Sequence, residues 1–135
     1  MTAGYSTNPL ADKLGFKPGM RTFIVDMPDS VRDEIGLHDL GLTLLAAPST
    51  GIDAAHIFVT SREALHREVA ALRQLIAPGG FIWVSWPKKA ARVETDVTED
   101  VVREVALPTG LVDVKVCAVD ETWSGLKLMI RNDLR

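Results

Sequence analysis

Apolar residues in this chain fall into two kinds of run. Thr22-Phe23-Ile24-Val25, Leu42 to Ala47, Ala54 to Val59 and Phe81 to Trp86 are short and nearly continuous, the pattern of strands buried on both faces, and Val112 to Val119 is a strongly β-branched run. Leu126 to Ile130 alternates, with Lys127 and Met129 between Leu126, Leu128 and Ile130. Between these runs the spacing changes. Leu65, Val69, Leu72 and Ile76 fall at i, i+4, i+7 and i+11, one stripe of a helix. Val97, Val101, Val102 and Val105 make a second stripe, ending near Pro108-Thr109-Gly110.

Punctuation between the runs is consistent with this division. Asn8-Pro9 supplies an N-cap and a first-turn proline for a short helix carrying Leu10 and Leu14, with Gly15 to close it. A second short helix is predicted from about Pro28 to Ile35, with Gly36 as its stop. Thr60 with Glu63, and Asp96 with Glu99, have capping-box spacing at the starts of the two longer helices. Pro78-Gly79-Gly80 reads as the turn ending the first of these, and Asp120 to Gly125 reads as a hairpin loop. Apolar strands alternating with amphipathic helices predict a three-layer, mostly parallel α/β sheet closed by an antiparallel hairpin. One domain over residues 1–135 is expected, with residues 1–18 forming an arm and the short helix.

Composition narrows the function classes. Apolar residues make up 47% of the chain and charged residues 24%, an ordinary globular balance, and the net charge of −3 gives no general attraction to nucleic acid. No apolar run approaches the ~20 residues that span a bilayer, and Met1 to Lys13 has no apolar signal core. The lone Cys117 excludes an internal disulfide and fits a small hydrophobe in a reducing cytoplasm. His38, His56 and His66 have no metal-ligand spacing. A cytoplasmic protein is expected, with no nucleic-acid or membrane partner, no metal and a possible homodimer.

In an open parallel sheet, ligands bind beyond the carboxyl ends of the strands. Asp26 follows the first strand, Thr60 and Ser61 the third, and Trp86, Lys88 and Lys89 the central one. If the penultimate strand is parallel to these, its hairpin brings Asp120, Trp123 and Ser124 to the same rim. These nine residues form the candidate ligand site. No catalytic motif of the Gly-x-Ser-x-Gly, Walker or His-Glu-x-x-His kind is present.

Lys17-Pro18-Gly19-Met20-Arg21 before the first strand, and Leu75-Ile76-Ala77-Pro78-Gly79-Gly80 before Phe81, resemble segments of class I methyltransferases. The closing hairpin is similar to theirs too. Trp83-Val84-Ser85-Trp86-Pro87-Lys88-Lys89, Asp113 to Cys117 and Asp120 to Lys127 resemble a small bacterial family known as a domain of unknown function, a likeness extending from Tyr5 onward. The resemblance implies a Rossmann-like, S-adenosylmethionine-type fold. Departures from that pattern shape the functional expectation. Where a glycine-rich loop belongs, the chain has Asp26-Met27-Pro28-Asp29-Ser30-Val31; the proline lacks a donor and Asp29 repels phosphate. The second strand ends in Ala46-Ala47-Pro48-Ser49, without the acid that holds ribose hydroxyls. About 30 residues separate Asp26 from the strand around His56, room for one βα unit and not two. The expectation is a non-catalytic, truncated domain that binds a small molecule or a protein in a regulatory role, without S-adenosylmethionine. The alternatives are an enzyme with a rebuilt site, using Lys88 or Asp26 for proton transfer, and a homo-oligomeric assembly component.

Overall fold

A computed structural model describes residues 8–135; the expected arm, Met1 to Thr7, lies outside the described residues. The elements are α1 (Pro9–Leu14), β1 (Arg21–Val25), α2 (Asp29–Ile35), β2 (Thr43–Leu44), β3 (Ile52–Phe58), α3 (Arg62–Leu75), β4 (Ile76–Pro87), α4 (Glu99–Ala106), β5 (Leu111–Ala118) and β6 (Trp123–Ile130). They build one six-stranded sheet in the order β2-β1-β3-β4-β6-β5. Strands β1 to β4 are parallel neighbours, and β6 inserts antiparallel between β4 and β5. The pattern's prediction of a three-layer, mostly parallel sheet with an antiparallel C-terminal pair matches this arrangement. One α-helix, a 3-10 turn at Leu37–Asp39 and a two-residue edge strand occupy the span between β1 and β3, room for one βα unit and not two.

The alternation of side chains along β3 and β4 divides the core. Ala55, Ile57, Ile82, Val84 and Trp86 face α3 and α4, meeting Leu65, Val69, Leu72, Val102 and Val105. Ala54, Phe58, Phe81 and Trp83 face the other way, against Leu10, Leu14, Val31 and Ile35 of α1 and α2. Burial on both faces explains why these strands read as unbroken apolar runs. The short helix α1 is tied down by a buried hydrogen bond: Trp83 Nε1 donates to the Leu14 carbonyl at 2.7 Å. Asn8 caps its start through Ala11 N–H, and Gly15 closes it in the left-handed region.

Several local expectations are corrected. Ser61 and Thr98, not Thr60 and Asp96, cap α3 and α4, accepting from Ala64 N–H and Val101 N–H. Asp96 instead accepts from Arg62 N–H at 2.7 Å, so it serves the start of α3 from another segment. Helix α3 stops at Leu75, and Pro78-Gly79-Gly80 lies within β4. The ladder there pairs Ile52 with Ile76 and then Ala54 with Phe81, so three extra residues bulge from β4. Gly80 sits at the tight point of this bulge: a Cβ on it would lie 2.7 Å from the Ile52 carbonyl oxygen. The apolar run Leu42 to Ala47 yields only Thr43–Leu44 as strand, both exposed at the sheet edge. At the hairpin, Trp123, Ser124 and Gly125 belong to β6, not to the loop.

Candidate functional site at the carboxyl edge

Strands β1, β3 and β4 end on one edge of the sheet. The ladder continues past β3 through Val59 N–H to the Ser85 carbonyl, 3.0 Å. Strand β5 runs parallel to β4, because each is antiparallel to β6. Its hairpin therefore opens on this same edge, where Lys88 N–H donates to the Thr122 carbonyl at 2.8 Å.

Each candidate residue has a definite place. Asp26 is exposed directly after β1, with a φ of 55°, in the left-handed region. Met27 then buries into the α2 side of the core. The Thr60 carbonyl accepts from Thr95 Oγ1 at 2.6 Å, and Ser61 Oγ is committed to capping α3. Together with the Asp96 bond to Arg62, this folds residues 95–96 over the end of β3. Asp120 Oδ1 accepts from both Thr122 N–H and Trp123 N–H, at 2.8 and 2.7 Å, so its carboxylate holds the hairpin turn. Trp86 and Trp123 are on opposite faces of the sheet: Trp86 joins the α3 and α4 side, while Trp123 meets Phe58 edge-on at 5.1 Å.

A cavity of about 510 Å3 opens on the α4 side of this edge, lined by Trp86, Lys88, Lys89, Thr95, Glu99 and Ser124 among others. It brings together four candidates, Trp86, Lys88, Lys89 and Ser124; Asp26, Thr60, Ser61, Asp120 and Trp123 do not line it. Trp86 is nearly fully buried, so it walls the cavity with little open ring surface. Thr95 and Glu99 were not singled out by the sequence, whose only hint was the Asp96–Glu99 spacing. Glu99 Oε2 accepts from Arg103 Nη1 at 2.6 Å. Arg103 also reaches Asp113 at 2.9 Å, and the guanidinium holds the Asp113 carboxyl below its ordinary value. That network anchors α4 to β5 beside the cavity.

Other chemistry-bearing residues stand apart from this edge cavity. Cys117 is partly buried, and that burial pushes its thiol pKa up, away from the nucleophilic thiolate. No cluster of His, Cys, Asp or Glu among the described residues could hold a metal ion. No helix among them is long and apolar enough to cross a membrane.

A scan against protein-family models finds no match, and neither does a search of curated proteins. Solved structures do match. The chain is similar to a SAM-dependent methyltransferase from Aquifex aeolicus, with a TM-score of 0.61, 17% identity, and coverage of 89% of this chain and 87% of that one. It is similar to Aeropyrum pernix fibrillarin with natively bound S-adenosyl-L-methionine, at a TM-score of 0.55, 16% identity, and coverage of 89% and 73%. It is also similar to magnesium protoporphyrin IX methyltransferase from Synechocystis with bound SAM, at 0.59, 10% identity, and coverage of 90% and 74%. The fold is methyltransferase-like.

These neighbours correct two expectations, that of a non-catalytic binding or regulatory domain and that of no S-adenosylmethionine. Two of the three are named as methyltransferases, and two were solved with the cofactor in place. The physical argument against the cofactor also weakens in the structure. It rested on a missing glycine after β1, but Asp26 itself takes the left-handed backbone that glycine would supply, a conformation Asp tolerates better than most residues. It rested too on the missing acid after β2 and on a span too short for two βα units, and the structure supplies neither an acid there nor a second unit; the repulsion of phosphate at Asp29 spoke against a dinucleotide. S-adenosylmethionine carries no phosphate; its sulfonium and amino groups are positive and suit a nearby carboxylate.

Proposed function

We propose that the chain is a small S-adenosylmethionine-dependent methyltransferase working at the carboxyl edge of its sheet. One observation carries this reading. Parallel β1, β3 and β4 end together beside a left-handed Asp26, in a fold that matches S-adenosylmethionine-bound structures over 89–90% of this chain. Asp26 would hold the positive, methionine end of the cofactor. At the end of β2 the ribose hydroxyls would meet backbone and the small side chains of Ala46 and Ala47, not a carboxylate.

When bound, the cofactor would supply an electrophilic methyl group on its sulfonium. The remaining contributions come from the chain. The segment around Thr95 and Asp96, bonded to Thr60 and Arg62, walls the edge and limits water. The cavity beyond Trp86 would receive the acceptor. Lys88 and Lys89 at its mouth favour an acceptor with an anionic group.

Calorimetric titration with S-adenosylmethionine and S-adenosylhomocysteine tests the reading. One site per chain with a Kd of about 10 μM is expected, weakened about tenfold in Asp26→Ala. Absence of binding to either compound at about 1 mM would sink it.

A further inference from the structure

A second cavity is on the opposite edge, where β1 and β3 begin and β6 ends. It measures about 810 Å3, within the size range of small-molecule sites. Its floor is the bulge of β4 at Gly79, Gly80 and Phe81, and the last turn of α1 forms one wall. Four of the six lysines in the chain line it: Lys13, Lys17, Lys115 and Lys127. They come from α1, from the loop before β1, from β5 and from β6, so only the fold collects them.

This concentration of charge runs against the chain's net charge of −3. Two carboxylates, Asp12 and Asp53, share the cavity, and Asp53 Oδ2 already accepts from Arg21 N–H at 2.9 Å. Every ion pair among the described residues uses an arginine, and none uses a lysine. Lys127 is the most enclosed of the four. Its Nζ lies 4.4 Å from the centroid of the Phe81 ring and 3.6 Å from where a Cβ on Gly15 would stand. Its pKa is lowered, first by burial and then by Lys115 and Lys17, so these ammonium groups feel one another. Lys115 Nζ reaches the Lys13 carbonyl at 3.4 Å, which holds a third charge close by. A set of like charges without ion-pair partners costs free energy that a multiply charged anion would recover.

We propose that this cavity binds a small molecule carrying two or more phosphate groups, held by Lys17, Lys115 and Lys127 with Lys13 at the rim. Ammonium groups act as point charges on phosphate oxygens, and separated lysines suit linked phosphates better than a single carboxylate. Phe81, Met20 and Met129 provide apolar surface for the remainder of the ligand. The site is independent of the methyl-transfer reading, since it uses the other edge of the sheet.

Sodium tripolyphosphate is the probe, titrated calorimetrically in about 0.15 M salt so that diffuse attraction is screened. One site per chain with a micromolar Kd is expected. Lys17→Ala with Lys115→Ala, both at exposed positions, should weaken it at least about tenfold, and Lys127→Met should do the same. Arg67→Ala with Arg131→Ala, exposed and lining neither cavity, should leave it unchanged. Thermal melts check that each variant folds, and the Lys17 and Lys115 pair decides the matter if Lys127→Met does not. The proposal is overturned by no binding at about 5 mM, by several weak sites per chain, or by equal loss in the Arg67 and Arg131 variant. It is also overturned if a short single-stranded RNA binds where tripolyphosphate does not. A failed tripolyphosphate titration beside an intact S-adenosylmethionine titration refutes this site alone.

Discussion

His56 Nε2 and Ser85 Oγ lie 2.7 Å apart in the middle of the sheet, on neighbouring strands and both fully buried. The other ring nitrogen, Nδ1, has no partner among the described residues. Leaving a lone pair unpaired costs less than leaving an N–H unpaired, so the proton sits on Nε2 and is donated to Ser85. The ring stacks on Phe58 at 4.4 Å, with Phe16 and Trp83 close by. Burial in this aromatic setting drives the His56 pKa down to about 3.

A depressed histidine makes the fold acid-sensitive over a definite window. The unfolded chain takes up the proton below about pH 6.5, whereas the folded chain resists it down to about 3. Stability is therefore complete above the unfolded value and falls as pH drops from 6.5 towards 3. Between pH 7 and pH 5 this group should remove about 2 kcal/mol, measured by urea denaturation at the two values. His56→Leu should flatten that dependence. An equal fall in the variant would refute the assignment.

The Trp83 bond to the Leu14 carbonyl should control α1. Trp83→Phe keeps most of the ring but leaves that carbonyl without its donor, at a cost of about 1–3 kcal/mol. Amide exchange should accelerate in α1 first, because this bond and packing against Phe81 and Trp83 hold the six-residue helix to the sheet. Uniform acceleration throughout the sheet would contradict it.

Two adjacent glycines should behave differently. Gly79→Ala has nothing within 4 Å of the new Cβ, whereas Gly80→Ala drives it against the Ile52 and Asp53 carbonyls at 2.7 and 2.9 Å. Thermal denaturation should show Gly79→Ala near neutral and Gly80→Ala destabilised by about 1–3 kcal/mol. Similar melting for both would show that the bulge is not as tight as described.

Asp120 is expected to matter for the hairpin and not for the cofactor. Asp120→Ala removes the acceptor for two backbone N–H groups and should cost about 1 kcal/mol, read by denaturation, with S-adenosylmethionine affinity unchanged. A large loss of affinity without loss of stability would place Asp120 at the ligand.

The long-range architecture was legible because both faces of β3 and β4 are covered, so apolar continuity marks the strands. The edge was less so: Leu42 to Ala47 looks like a strand, but with a neighbour on one side only, pairing stops after two residues. The capping boxes failed for a related reason. Ser61 and Thr98 lie one and two residues further along and accept from Ala64 and Val101 N–H, so each helix starts later than the spacing suggests, while Asp96 finds Arg62 through tertiary structure. For the site, the shared edge followed from the parallel order, but the opposite faces of Trp86 and Trp123 depended on register. The lysine cavity was not legible, since Lys13 and Lys127 meet only through the fold. Part of the inference against the cofactor rested on a glycine-free loop after β1, and there Asp26 takes the left-handed backbone itself.

The most direct test of the central claim is a crystal structure grown with S-adenosylhomocysteine. Density for its amino-acid end beside Asp26, with its base towards the ends of β1 and β3, is the predicted result. A well-ordered carboxyl edge holding only solvent, or the compound bound elsewhere on the sheet, would contradict the methyltransferase reading.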